Sequence, residues 1–186
     1  MIATEVTSPF LTPFKLSLVL AVFVAMPVIL AQLWGFIAPG LYKSEKRIAI
    51  PLLTSSIVLF YAGVTFAYYV VFPLLFGFFT TVGPGDISVM TDINRYLDFV
   101  LKLFFAFGLA FEVPVAAVIL ILTGVVTADQ LANNRSYVIV GCFVMGMLLT
   151  PPDVISQTLL ALPMWLLFEV GLVMGRALSR SPNEDE

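Results

Sequence analysis

Glu112 stands in the middle of the apolar run from Leu101 to Leu122, two residues before Pro114. An ionised carboxylate at bilayer depth costs roughly 2.5 to 3.5 kcal/mol even on lenient insertion scales, so it persists only with a partner, a proton or a water-filled cavity. The plain alternative is a buried acid satisfied by a hydroxyl, an amide or water beside the proline break, where a freed carbonyl also needs a partner. A second carboxylate, Glu45, lies among Lys43, Lys46 and Arg47. It can accept a guanidinium in a bidentate pair, the geometry that separates Arg from Lys, or it can simply balance its basic neighbours on a solvated loop. Phe36, beside Trp34, could flank such a pocket or belong to an ordinary interfacial aromatic belt. Met147, Thr150 and Gln157 bring polar and polarisable groups into an apolar hairpin, where polar side chains hold helices together by roughly 0.6 to 2 kcal/mol each. Asp153, after Pro151 and Pro152, suits the N-cap of the last helix, where its charge complements the helix dipole.

The elements that position these residues follow from composition. The 186 residues are 60% hydrophobic and 11% charged, with a mean hydropathy of +1.05. A soluble domain of that composition would present one large apolar patch, so the expectation is an all-α polytopic membrane protein. The chain has no His, and its single Cys, Cys142, sits in an apolar stretch. A disulfide framework, a Cys/His metal site and a His general base are thereby excluded, and no cofactor is implied. The acidic tail Glu184-Asp185-Glu186 reads as a solvated end rather than a surface for nucleic acid.

Five transmembrane spans are expected, at about residues 15–37, 48–79, 96–123, 137–149 and 154–176, with 179–186 as a tail. The second, roughly 48 Å long at 1.5 Å per residue, must tilt, kink near Pro73 or project beyond the bilayer. The fourth, about 20 Å, must thin the bilayer or lean on its neighbours. The segments between spans, including 124–135, read as loops from their Pro, Gly and charged content. Facing 38–47 to the cytoplasm collects Lys43, Lys46, Arg47, Arg135, Arg176 and Arg180 on the inside, which makes the C-terminus cytoplasmic. Residues 1–14 carry no basic export signal, so the expectation is that an upstream span is missing.

Three separated segments carry a resemblance: Gln32 to Tyr42 followed by Glu45, then Ala106-Phe107-Gly108 with Phe111-Glu112-Val113-Pro114, then Met147 to Asp153 followed by Gln157. In this order they closely resemble the TatC family, the multispan receptor subunit of the twin-arginine protein translocase. The resemblance implies a six-span fold of which this chain holds spans two to six, without the first helix and the cytosolic segment before it. It also implies that Glu45, Phe36 and Trp34 help bind twin-arginine signal peptides of folded precursors. Glu112 becomes a polar site on a concave intramembrane face that meets a partner helix. Met147, Thr150 and Gln157 become part of a docking site for the single-span TatA and TatB subunits, against the alternative of packing between the two spans alone. The implied setting is a bacterial inner membrane, with self-association of the chain.

The function expected is therefore a non-enzymatic receptor and assembly core for export driven by the protonmotive force, since no Walker-type loop is present to bind ATP. The alternative is a proton- or ion-coupled secondary transporter using Glu112 as its relay, although internal repeats are not evident. An intramembrane hydrolase lacks a nucleophile and base pair.

Overall fold

Apolar sequence of this kind can satisfy its backbone in lipid only by closing hydrogen bonds within each segment, and helices are what it forms. A computed structural model describes residues 8–37, 46–82, 92–149 and 154–180. The helices are α1 (Ser8–Ile37), α2 (Lys46–Phe66), α3 (Phe72–Val82), α4 (Ile93–Ala110), α5 (Val113–Leu122), α6 (Ala128–Asn133), α7 (Arg135–Leu149) and α8 (Val154–Arg180). Among the described residues four stretches are long and apolar enough to cross a bilayer, Phe10–Phe36, Ile50–Phe78, Ile93–Leu122 and Gln157–Leu178, and the fourth expected span is the shorter helix Arg135–Leu149. The all-α polytopic architecture read from composition is the architecture found.

The overlong second span carries a device near Pro73. A π turn, Ala67–Val71, joins α2 to α3, and the Phe72 N–H reaches back to the Ala67 carbonyl. π-Helix occurs mostly as single-turn bulges of this sort within α-helices, and here the turn ends two residues before Pro73, which has no N–H to give. Segment 124–135, expected as a loop, instead contains the short helix α6. Its signal was a capping box: the Thr127 hydroxyl accepts from the Gln130 N–H at 3.2 Å, and the Gln130 side chain accepts from the Thr127 N–H at 3.0 Å. Asp92 caps α4, accepting from the backbone N–H groups of Asn94 at 2.8 Å and Arg95 at 3.4 Å.

The core is made where small residues let helices approach, the usual way that helices associate in lipid. A Cβ on Gly63 of α2 would lie 2.4 Å from the Phe107 carbonyl oxygen of α4, and one on Gly108 would lie 2.6 Å from the Phe60 ring. Phe60 and Phe107 are fully buried at this crossing. One buried cluster joins Val71, Leu75, Leu103, Phe107, Leu160 and Met164, binding the π turn and α3 to α4 and α8. Another joins Trp34 and Leu52 to Val115, Val118 and Leu122, so α1 and α2 close over α5.

Candidate functional site

Glu112 occupies the joint between α4 and α5. Both Phe111 and Glu112 stay in the right-handed helical region, and the Glu112 N–H bonds to the Leu109 carbonyl at 3.0 Å, one residue tighter than an α-helical bond. The long span therefore bends without unwinding, because Pro114 falls in the first turn of α5, where its missing N–H is tolerated. From α8, Gly171 presses against the start of α5: a Cβ there would lie 2.5 Å from the Pro114 Cα. Backbone pressed on backbone fixes where the carboxylate stands.

Ser56 of α2 is the partner of Glu112. Its hydroxyl, nearly inaccessible, donates to Glu112 Oε2. The other oxygen, Oε1, is buried with no hydrogen-bond partner, as is Nε1 of Trp165. No cation is paired with Glu112 among the described residues. One turn before Ser56 lies Leu52 and one turn after Glu112 lies Val115, and these two pack together with Trp34. The chemistry available is that of an acid held by one hydroxyl, with an acceptor atom still open to a donor, inside an otherwise apolar wall.

Sequence reasoning missed Ser56. It lies in Thr54-Ser55-Ser56, the polar trio of the second span, but any of the three could have bonded back to its own helix. Thr54 does so, donating to the Ile50 carbonyl at 3.0 Å, and Ser55 donates to the Leu52 carbonyl at 2.8 Å. Only Ser56 crosses to another helix, and the choice is made by the rotation of α2, which the trio does not specify.

The remaining candidates occupy separate places. Trp34 is buried in the cluster just described, whereas Phe36, two residues on, is 86% exposed. Of that pair only Phe36 offers a surface. Met147 is exposed near the end of α7, and Gln157 is half-buried near the start of α8. The two helices touch there, since a Cβ on Gly146 would lie 3.4 Å from the Gln157 carbonyl oxygen. Leu178, near the far end of α8, packs on the Trp34 cluster. The Trp34 end and the Gln157 end are thus separated by about 30 Å of helix at 1.5 Å per residue. Glu45, Thr150 and Asp153 lie outside the described residues.

Glu169 and Arg176, seven residues apart on α8, each pair with a residue of another helix. Arg135 grips Glu169 with two contacts of 2.8 Å, and Arg176 reaches Asp129 at 3.3 Å, tying α7 and α6 to α8. No group of three or more His, Cys, Asp or Glu among the described residues is arranged to hold a metal.

Comparison with known proteins places this arrangement. Residues 1–163 match the family described as Sec-independent protein translocase protein (TatC). The chain is 67% identical over 175 residues to the TatC protein of Azotobacter chroococcum mcd 1, covering 94% of this chain and 69% of that one. It is 57% identical over 176 residues to TatC of Escherichia coli (strain K12), covering 95% and 68% respectively. A crystal structure of the twin-arginine translocase receptor TatC, 42% identical, superposes with a TM-score of 0.85 over 97% of this chain and 79% of that one. With its apolar helices this chain is an integral membrane component of the Sec-independent, twin-arginine translocase, and it belongs to the TatC family.

Proposed function

We propose that this chain is the receptor core of its translocase, binding twin-arginine signal peptides at one membrane face and gathering single-span TatA and TatB subunits within the bilayer. The observation that carries the reading is the likeness, at 42% identity and over 97% of the chain, to a protein described as the twin-arginine translocase receptor. Within that reading the three separated places take separate tasks. The Trp34 and Phe36 end, next to the segment that holds Glu45, receives the two arginines, with the Glu45 carboxylate as their bidentate acceptor. The start of the α7–α8 hairpin pairing, at Met147, Thr150 and Gln157, docks the partner helices. Glu112 lies between them, its open oxygen an acceptor for a polar group on a helix laid against the bend. The C-terminus faces the cytoplasm of a bacterial inner membrane, and the protonmotive force drives transport. The ion-coupled transporter reading of Glu112 gives way, since the family is one of protein translocases.

Binding of a fluorescent twin-arginine signal peptide and its twin-lysine variant to the chain in nanodiscs tests this. The expected result is Arg-selective binding that Glu45→Ala weakens by about tenfold or more, the loss of one charge-assisted bidentate contact. Equal binding of the two peptides would overturn the receptor reading.

A further inference from the structure

The bundle contains a second built feature that the receptor reading does not use. Two hollows of about 510 and 380 Å³ share walls at Ala106, Leu109 and Met145 and so form one slot along α4, with α1 and α7 on its flanks. Its lining is apolar except at the mouth near the start of α4, where Lys15, Asp98 and Lys102 meet. Lys15 forms an ion pair with Asp98. That leaves Lys102, one turn after Asp98 on α4, exposed and with no ion-pair partner among the described residues.

A lysine inside a membrane-crossing helix must reach for a counter-charge or for the headgroup layer. Lys102 stands nine residues after Ile93 in a 30-residue apolar stretch, about 14 Å along at 1.5 Å per residue. Its stem can therefore reach the headgroup layer at that end while its base remains over the slot. The mouth carries two cations and one anion, a net positive charge of one, above an apolar floor. A molecule with an acid at one end and a hydrocarbon chain at the other complements that order of surfaces. We propose that the slot holds an acyl chain of an anionic phospholipid whose phosphate rests on Lys102. A partner helix in the same place would have to bring its own acid to Lys102 and is the competing occupant.

Native mass spectrometry of the protein released from nanodiscs of equal phosphatidylcholine and phosphatidylglycerol tests the site. Preferential retention of phosphatidylglycerol is expected. Lys102→Gln should lower that preference by about fivefold, the attraction of one basic residue to an anionic membrane surface, and Lys102→Arg should keep it. Leu109→Trp, at an exposed position on both hollows, should abolish retention of either lipid by filling the slot. Retention of phosphatidylglycerol unchanged in both Lys102→Gln and Leu109→Trp would overturn the proposal. So would a photo-crosslinker at position 102 that captures a membrane protein in preference to lipid in native membranes.

Discussion

Among the described residues three acids lie within membrane-crossing stretches; Asp98 pairs with Lys15 toward one end of its span, and the two deeper ones, Glu169 and Glu112, are treated in opposite ways. Glu169 on α8 has both oxygens engaged by the Arg135 guanidinium, at 2.8 Å each. Glu112 at the α4–α5 joint has a single hydroxyl, that of Ser56, and one buried oxygen with nothing attached. An acid in lipid without a cation is the costly state, so the contrast is informative. Among the described residues a basic side chain pairs with one acid and none pairs with the other. Glu169 is therefore a tie between α7 and α8, and Glu112 is held in position with part of its bonding capacity unspent.

The sharpest way to break the contrast is through the helix that carries both supports. Gly171, two residues after Glu169, presses on Pro114 beside Glu112, and a Cβ there would meet backbone at 2.5 Å. Backbone cannot swing aside as a side-chain tip can. Gly171→Leu should cost about 3 kcal/mol, read as a fall in the thermal midpoint of the purified protein in detergent. Gly175→Ala should cost less, because the atom it meets, at 2.3 Å, is the movable end of Ile121. Gly141→Ala, with open space around it, should be neutral or gain up to about 1 kcal/mol of helix propensity. A Gly171 variant as stable as the parent would mean that α8 does not fix the bend.

Removing the counter-ion should make Glu169 resemble Glu112. Arg135→Gln leaves a partly buried carboxylate unpaired, with a side-chain exposure of 23% against 46% for the arginine. A fully buried pair broken in this way costs several kcal/mol and an exposed one below about 1, so about 1 to 2 kcal/mol is expected. Adding Glu169→Gln should recover most of that loss, since no lone charge remains. Asp129→Asn should change stability by under about 0.5 kcal/mol, because Asp129 is 89% exposed and its bond to Arg176 is screened by water. If the double variant is no better than Arg135→Gln alone, the tie is not electrostatic.

What was legible in the sequence follows the same division. The helices were legible because lipid leaves the backbone one option, and runs of apolar residues mark it directly. Glu112 was legible because an acid in such a run is expensive wherever it faces. Its partner was not, since Ser56 differs from Thr54 and Ser55 only in the direction it points, and direction is set by how α2 packs against α4 at Gly63 and Gly108. The pairing of Glu169 with Arg135 across 34 residues was hidden for a similar reason: Arg176 is nearer in sequence yet turns to Asp129, and which cation reaches the acid depends on how α7 packs on α8. Trp34 and Phe36 look alike as interfacial aromatics, and only the bundle separates the buried one from the exposed one.

A modest effect on stability and the most telling one for function should come from the Glu112 pair itself. Ser56→Ala removes one hydrogen bond to a carboxylate and should cost about 1 kcal/mol. Glu112→Gln keeps an acceptor for the Ser56 hydroxyl and nearly the same volume, so its thermal midpoint should move by less than that. Export of a twin-arginine precursor by cells carrying each variant then separates shape from charge. If the open oxygen serves as a charged or titrating acceptor for a partner helix, Glu112→Gln fails in export while remaining folded, and Ser56→Ala, which retains the acid, exports at an intermediate level. Full export by Glu112→Gln would remove any ionisable role and leave Glu112 as a second structural tie, the counterpart of Glu169 after all.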